Sequence, residues 1–318
     1  MKIVYGIAQS DLLRRPSVTT FGVFDGLHLG HQLIMKTLVE RSKVTGYAAT
    51  VVTFLPYPRQ VLDPTNAPIP LQTFDQKMEG LEKLGIEQVL VIEFTKEFAA
   101  TTAEAFTKEI LLDRLASREV YLGEGFVFGH GRKGNIDKLR ELALKYGFFA
   151  DQVPEVLLRG CRISSALIRE LLLTGQVNLA RRMLGRPYGI EGIVCNGRKL
   201  GRELNFPTAN LHPINAIVPA NGVYITLVLV DGRWHRSVTN VGIRPTVTDE
   251  PVCTVETHIL DFDRDIYGQK LRLRFLHRIR NEQRFASIAQ LRDRIALDTK
   301  LSIRYFERQG VRNSLEYV

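Results

Sequence analysis

Cysteine and long apolar runs are scarce in this chain of 318 residues, and each shortage excludes a class of protein. The three cysteines, Cys161, Cys195 and Cys253, are far apart and form no CxxC pair. They argue against a disulfide framework or a zinc site and suit a reducing cytoplasm. No window approaches the roughly 18 consecutive apolar residues of a membrane span, so we expect no membrane partner. The first 16 residues lack the apolar segment of a secretory signal.

The chain is basic, because 43 Lys and Arg outnumber 34 Asp and Glu to give a net charge of +9. This excess indicates anionic partners without distinguishing nucleotides from nucleic acids or lipids. Residues 186–318 carry 20 basic and 14 acidic side chains, and 17 of the 20 are Arg, whose planar group suits phosphate. They lack the interleaved aromatic and basic pattern that stacks bases. We therefore expect no nucleic-acid partner, and a nucleic-acid-binding protein is the alternative from a different class.

At about 100–200 residues per domain, the length predicts two domains. In the first, strand-like runs alternate with helical patterns, which is typical of βαβ units feeding a parallel sheet. The predicted strands are 18–24, 48–54, 88–94 and 119–123, and the predicted helices are 32–43, 75–84, 103–115, 136–146, 165–173 and 179–184.

After the stop signal Gly185-Arg186-Pro187 the pattern changes to short alternating runs. These predict an antiparallel barrel or sandwich, with a tight hairpin at Asp231-Gly232. The predicted strands are 189–195, 223–230, 233–241, 252–260 and 271–275, followed by two amphipathic helices at 287–297 and 301–308.

Residues 22–31, GVFDGLHLGH, carry the strongest local signal. A buried strand enters a glycine-rich loop and then a helix, whose first N–H groups favour phosphate. Two imidazoles three residues apart, His28 and His31, could donate to a polyphosphate whose charge grows during displacement. The structural alternative is that one histidine caps the helix and the other packs in the core. The candidate residues are catalytic His28 and His31 and nucleotide-binding Gly22, Phe24, Asp25, Gly26 and Gly30.

This segment resembles the first signature of the nucleotidyltransferase superfamily, and residues 162–169, RISSALIR, resemble the second. The resemblance implies nucleotide binding by Ser164 and Ser165 and a catalytic role for Arg169. Helix capping by a serine is the simpler alternative. Within the superfamily, nearly the whole chain is similar to the bacterial bifunctional riboflavin kinase/FAD synthetase family, including FLPYPR at 54–59 and GHGRKG at 129–134.

A second group of motifs lies after residue 186. In residues 197–210, GRKLGRELNFPTAN, a hydroxyl and an amide two residues apart offer hard oxygen ligands for Mg²⁺, although composition alone indicates a surface turn. FPTAN resembles the riboflavin kinase hallmark. That resemblance implies Mg²⁺ ligands at Thr208 and Asn210 and nucleotide-binding residues Gly197, Lys199 and Gly201.

Two further segments, NVGIRPT at 240–246 and VETHILDF at 255–262, resemble the same kinases. The second implies that Glu256 is the general base, and the segment beginning at Arg280 resembles a flavin-binding region. On a strand, Glu256, His258 and Leu260 share one face, so we expect a carboxylate on an apolar face, which is costly unless it has a function.

The family resemblance implies the architecture and the chemistry together. Residues 1–185 would form an α/β Rossmann-like nucleotidyltransferase domain, and residues 186–318 an antiparallel six-stranded β-barrel riboflavin kinase domain with C-terminal helices. The kinase would convert riboflavin and ATP to FMN. The first domain would adenylylate FMN to FAD and release pyrophosphate. Mg²⁺ and ATP are the implied cofactor and co-substrate.

Three positions depart from the family pattern: Tyr57, Gly125 and Ala166 stand where the family usually has polar groups. These departures motivate an alternative within the same class, a riboflavin kinase whose first domain is degenerate or uses another substrate. His28, His31 and Arg169 argue against complete loss of adenylyl transfer.

Overall fold

The computed structural model describes residues 1–196, 206–244 and 252–309, and the chain forms two compact units. The first unit comprises Met1–Ile69 and Phe74–Ser165, and the second comprises Pro70–Thr73 and Ala166–Val318. Lys199, Gly197 and Gly201, predicted to bind nucleotide, lie outside the described residues. Within the described part of the chain, no helix has both the length and the hydropathy that crossing a membrane requires.

A six-stranded parallel sheet with the order β1-β4-β3-β2-β5-β6 forms the centre of the first unit. Separate apolar clusters cover its two faces, which explains why β2, β3 and β4 are buried almost throughout. The parallel sheet is as predicted, while β1 and β6 were missed. The strands are β1 (Lys2–Tyr5), β2 (Ser17–Phe21), β3 (Ala48–Leu55), β4 (Gln88–Glu93), β5 (Ser117–Gly123) and β6 (Phe149–Val153).

A 3₁₀ helix, Ile7–Leu13, connects β1 to β2, and the helices α1 to α6 follow in the other connections. The helix α1 ends at Gly46 and α6 ends at Gly147, both with left-handed backbone that glycine adopts without strain. The helices are α1 (Leu29–Thr45), α2 (Pro58–Leu62), α3 (Phe74–Lys83), α4 (Lys96–Ala99), α5 (Ala103–Ala105, continued as a π-helix over Phe106–Arg114) and α6 (Ile136–Tyr146).

Two helices follow a short hairpin of β7 (Leu157–Leu158) and β8 (Cys161–Arg162): α7 (Ser165–Leu173) and α8 (Val177–Leu184). Residues 166–184 group with the second unit, where α8 packs on two strands of the barrel. The buried face of α8 supplies this contact, through Val177, Ala180, Met183 and Leu184. The functional boundary near residue 186 stays a prediction.

A closed antiparallel barrel of six strands, in the order β10-β13-β12-β11-β14-β9, forms the second unit. Asp231 and Gly232 make the predicted two-residue hairpin, and both have positive φ. The barrel prediction is confirmed, although β10 was not foreseen. The strands are β9 (Tyr188–Cys195), β10 (Ala209–Pro213), β11 (Gly222–Val230), β12 (Arg233–Arg244), β13 (Val252–Ile259) and β14 (Lys270–Arg280).

The C-terminal part of the described chain is one helix, α9 (Ile288–Arg308), where two were predicted. Ser287 caps its start by accepting a hydrogen bond from the Gln290 backbone. The polar residues at its middle do not interrupt it, because Asp298 is buried and paired with Arg280 and Arg294. Phe306 of α9 packs on Ile225, Leu227 and Leu276 of the barrel.

Candidate functional site

The loop between β2 and α1 has an unusual backbone. Phe24 and Leu27 have φ of 48° and 42°, and Gly26 between them has φ of 84°. Bulky residues rarely adopt positive φ, and such conformations concentrate at functional sites where the surrounding structure enforces them. The Phe24 ring lies against Gly22, where a Cβ would approach it to 3.0 Å. The loop therefore has a defined shape that depends on its glycines.

The two predicted histidines lie together at the start of α1. Their rings stack with centroids 3.6 Å apart, and the Phe24 ring meets His31 edge-on at 5.3 Å. His28 is the N-cap, and its Nδ1 accepts a long 3.4 Å hydrogen bond from the His31 backbone. Gly30 allows this packing, since a Cβ there would lie 3.2 Å from the His28 ring. Capping therefore accounts for part of the role of His28, while His31 does not cap the helix.

Asp25 is the buried acidic residue of this loop and is only 3% exposed. Its backbone carbonyl accepts a 2.8 Å hydrogen bond from the Ser165 hydroxyl, which joins the second predicted signature to the first. The Tyr57 hydroxyl lies 3.5 Å from Asp25 Oδ1. Tyr57 is one of the three positions that depart from the expected pattern. Its hydroxyl nevertheless places a polar group next to the Asp25 carboxylate.

The other departures have different surroundings. The Arg162 guanidinium lies beside Gly125, 3.5 Å from where a Cβ would stand, and donates to the Glu124 carbonyl at 3.0 Å. Ala166 is exposed on α7, and Arg169 lies one turn further along the same helix, in the second unit. A cationic side chain thus lies beside Gly125.

Lys77 on α3 contacts this loop and was not among the residues predicted from the sequence. Its side chain is wholly buried, and its Nζ donates to the Val23 carbonyl of the loop at 3.0 Å. Its position in the sequence could have indicated burial, because Lys77 falls at helical spacing with the apolar Phe74, Met78 and Leu81. A lysine on the apolar face of a helix is uncommon and marks a buried contact.

In the barrel, Glu256 occupies the middle of a cross-strand row. It pairs with Asn210 on β10 and with Asn240 on β12. Directly opposite residues of antiparallel strands have Cβ atoms about 5 Å apart on the same face, so both amides flank the carboxylate position. All three residues are half-buried. The structure therefore brings together two predicted residues, Asn210 and Glu256, and adds Asn240.

The expectation that Glu256 lies on an apolar face is wrong. The buried interior face of β13 carries Val255, Thr257 and Ile259, so Glu256 and His258 lie on the opposite, half-buried face. Thr257 is accommodated inside because its hydroxyl accepts a 2.9 Å hydrogen bond from Thr239. Glu256 is thus only half-buried, which avoids the full cost of burying a charge.

His258 supports the turn that precedes β10. Its Nδ1 lies 2.8 Å from the Pro207 carbonyl, and the Phe206 ring packs edge-on against it at 5.5 Å. Thr208 follows this turn and lines a cavity of about 520 Å³. The cavity is within the usual range for small-molecule sites, roughly 300–1,000 Å³. Its other walls include Phe262, Ile266 and Tyr267 of the segment after β13.

Arg280, predicted to bind flavin, is engaged in a buried ion pair. Its Nη2 and Nε donate to Asp298 Oδ2 at 2.7 and 3.0 Å, and the two side chains are only 12% and 3% exposed. This contact attaches the end of β14 to α9. A structural role is therefore shown for Arg280, and flavin binding by it stays a prediction.

We expect Asp298→Asn to destabilise the second unit by about 3–5 kcal/mol, because it leaves the Arg280 charge buried without its carboxylate. Urea unfolding followed by fluorescence measures this change. The matched control is Asp231→Asn, which removes an exposed pair with Arg264 (58% and 56% exposed) and should cost no more than about 1 kcal/mol. Equal effects of the two variants would contradict the assigned importance of the Arg280 pair.

Comparison with known proteins assigns each half of the chain to a class of enzyme. Residues 11–167 match the family model described as FAD synthetase, and residues 184–306 match the model described as riboflavin kinase. The first half is thus of the nucleotidyltransferase class and the second of the kinase class, both transferases.

Curated relatives combine both halves in one chain. The bifunctional riboflavin kinase/FMN adenylyltransferase of Pseudomonas fluorescens is 37% identical, over 94% of this chain and 96% of its own length. The enzyme of the same description from Escherichia coli K12 is 35% identical, over 96% and 98%. The chain belongs to the bifunctional riboflavin kinase/FMN adenylyltransferase family. It is a bifunctional enzyme, with a kinase and a nucleotidyltransferase half, and the prediction of both activities is confirmed.

A solved structure is similar over nearly the whole chain. The crystal structure described as a macrolide-efflux protein from Streptococcus pneumoniae has a TM-score of 0.87 and 27% identity, covering 95% of this chain and 99% of that one. The similarity therefore includes residues of both units.

Proposed function

We propose that Glu256 is the general base of the kinase reaction. It accepts the proton of the riboflavin 5′-hydroxyl while that oxygen bonds to the γ-phosphorus of ATP, and the bond from the γ-phosphorus to the β–γ bridging oxygen breaks. FMN and ADP are the products. The observation that carries this assignment is the row Asn210–Glu256–Asn240, in which two amides flank the carboxylate position and can orient it.

The cavity of about 520 Å³ beside Thr208 is proposed as the ATP site. Phe262 and Tyr267 offer apolar surface for the base, and the charged residues of the wall are Arg264, which also pairs with Asp231, and the carboxylates Asp263 and Asp265. Thr208 lines this cavity and lies two residues before Asn210, which is opposite Glu256 on the neighbouring strand, so the proposed ATP site adjoins the row in the chain. Positioning of the two reactants, rather than covalent chemistry by the protein, would supply most of the rate.

Thr208 and Asn210 are proposed as the Mg²⁺ ligands. A hydroxyl and an amide oxygen are hard donors, and a set of two protein oxygens leaves room for the phosphate oxygens and waters that Mg²⁺ retains. Both side chains are half-buried, Thr208 in the wall of the cavity and Asn210 opposite Glu256, so the chemistry of the residues present fits the ion. When bound, Mg²⁺ supplies neutralisation of the phosphate charge.

The metal assignment predicts that Asn210→Ala raises the Mg²⁺ concentration needed for half-maximal FMN formation by about tenfold or more. Titrating Mg²⁺ at saturating riboflavin and ATP measures this requirement. His212→Ala is the matched control, because His212 is exposed two residues further along the same strand. An unchanged Mg²⁺ requirement in Asn210→Ala would reject the ligand assignment.

In the first unit we propose adenylyl transfer at the loop of residues 22–31. A phosphate oxygen of FMN bonds to the α-phosphorus of ATP, the bond to the bridging oxygen of the β-phosphate breaks, and pyrophosphate leaves. His28 and His31 stabilise the negative charge that grows on the leaving group, and the backbone at Gly22, Gly26 and Gly30 allows close approach of phosphate. The stacked histidines at the start of α1 carry this assignment.

Three further assignments in this reaction rest on the sequence resemblance. Arg169 is proposed to add positive charge to the departing pyrophosphate, and Ser164 and Ser165 are proposed to bind the nucleotide.

Location in the cytoplasm is also a proposal. It is supported by the three cysteines, which are free and exposed, as expected in a reducing compartment.

Supplying purified protein with riboflavin, ATP and Mg²⁺ tests the two steps together. FMN should appear first and FAD should follow, and FMN supplied directly should be converted to FAD. If FMN accumulates while supplied FMN is never adenylylated at saturating ATP, the proposed first-unit reaction is rejected and the kinase with an altered first domain is favoured.

A further inference from the structure

The ammonium of Lys77 is buried in the first unit, although charged side chains are seldom buried completely. Lys77 is 0% exposed, on the face of α3 that also carries Met78 and Leu81. Burial lowers its pKa to about 8, an effect only partly opposed by the negative charge of Asp25. Placing a cation here costs folding free energy that a methionine of similar length would not cost.

The contacts of Lys77 converge on the loop that carries the histidines. Nζ donates to the Val23 carbonyl at 3.0 Å and lies 3.4 Å from the Thr53 hydroxyl on β3. It also lies 4.4 Å from the centroid of the Tyr57 ring, a favourable position for a cation. Lys77 thus connects α3 to β3, to Tyr57 and to the first residues of the loop.

The backbone of this loop is strained next to the carbonyl that Lys77 binds. Val23 immediately precedes Phe24, whose φ of 48° is unfavourable for a bulky residue. Such a backbone persists only where neighbouring groups fix it, and a charged donor to the preceding carbonyl is a strong constraint. Asp25, two residues after Val23, also takes part, through the electrostatic effect of its carboxylate on Lys77 and its 3.5 Å contact with Tyr57.

We propose that Lys77 is a positioning residue for adenylyl transfer, which holds the backbone of residues 22–27 in the geometry that presents His28 and His31 to the phosphates. Lys77 binds the backbone of the loop at the Val23 carbonyl and acts on the histidines through that backbone. The inference rests on the proposed function of this loop. It deepens that proposal by assigning a role to a buried lysine outside the recognised motifs.

The test is Lys77→Met, measured for folding and for each reaction separately. We expect the thermal midpoint of the protein to stay unchanged or rise, and FMN formation by the barrel to be unaffected. The kcat of FAD formation from supplied FMN should fall by about 10- to 100-fold, as for misplacement of reacting groups by about 1 Å. The KM for ATP should change much less. Lys77→Gln, which keeps a donor, should recover part of the loss.

Lys83→Met is the matched control, since Lys83 is exposed on the same helix and should leave all these quantities unchanged. A folded Lys77→Met protein with wild-type kcat for FAD formation would overturn the inference. So would a loss of activity that follows a loss of folding in both the Met and Gln variants. His31→Gln is assayed in parallel: if it too keeps wild-type FAD formation, the proposed loop function has failed, and not the Lys77 role alone.

Discussion

Replacing Glu256 by Gln is expected to reduce FMN formation by about 10²–10⁴-fold, the usual contribution of a general base. Glutamine keeps the size and the hydrogen-bonding shape of the side chain between Asn210 and Asn240, so the barrel should remain folded. It cannot accept the proton of the riboflavin hydroxyl. Conversion of supplied FMN to FAD should be unchanged, because that reaction is assigned to the other unit.

The kinase assay with riboflavin, ATP and Mg²⁺ measures the effect of Glu256→Gln. The control is Asp293→Asn, which alters an exposed carboxylate on α9 of the same unit and should leave the rate unchanged. A Glu256→Gln protein that forms FMN within about threefold of the wild-type rate would exclude Glu256 as the base, since even weak general bases contribute about 10²-fold.

Replacing His31 by Gln is expected to lower the rate of FAD formation from supplied FMN by about 10²–10³-fold. This is the usual cost of removing one oriented donor from a developing negative charge. His31 is the better of the two histidines to change, because His28 also caps α1 and its loss would disturb the helix start. FMN formation by the barrel should be unaffected.

The assay for His31→Gln supplies FMN, ATP and Mg²⁺ and measures both FAD and pyrophosphate. His130→Gln is a suitable control, since His130 is exposed in another loop of the same unit. Equal rates in the His31 variant and the wild type would remove His31 from the mechanism, and a matching loss in the His130 variant would show that the effect is not specific.

Much of the fold could be predicted from local pattern, because its signals are local. The run of β2, a glycine-rich turn and α1 is encoded within residues 17–45, and the Asp231-Gly232 hairpin within two residues. The prediction of two C-terminal helices was wrong for a non-local reason. Asp298 falls between the two predicted helices, 287–297 and 301–308, and its buried partner Arg280 lies on β14, 18 residues away.

The site was predictable where motifs carry it and not where partners come from distant segments. Glu256 was found from its motif, yet its face of β13 was assigned wrongly, because Thr257 is satisfied inside by Thr239 of another strand. Lys77 was missed for the same reason: the carbonyl it binds, that of Val23, is 54 residues away. Periodicity gives the face of a helix but not the partner that makes a buried charge acceptable.

The most direct test of the two-site account is complementation between the variants Glu256→Gln and His31→Gln. Each variant is given riboflavin, ATP and Mg²⁺ alone, and then the two are mixed. Glu256→Gln alone should yield almost no FMN or FAD, and His31→Gln alone should accumulate FMN. The mixture should form FAD at a rate close to that of the wild type, since each variant keeps one intact site. FMN accumulation by Glu256→Gln, or failure of the mixture to form FAD while each variant remains folded, would contradict the assignment of the two reactions to separate units.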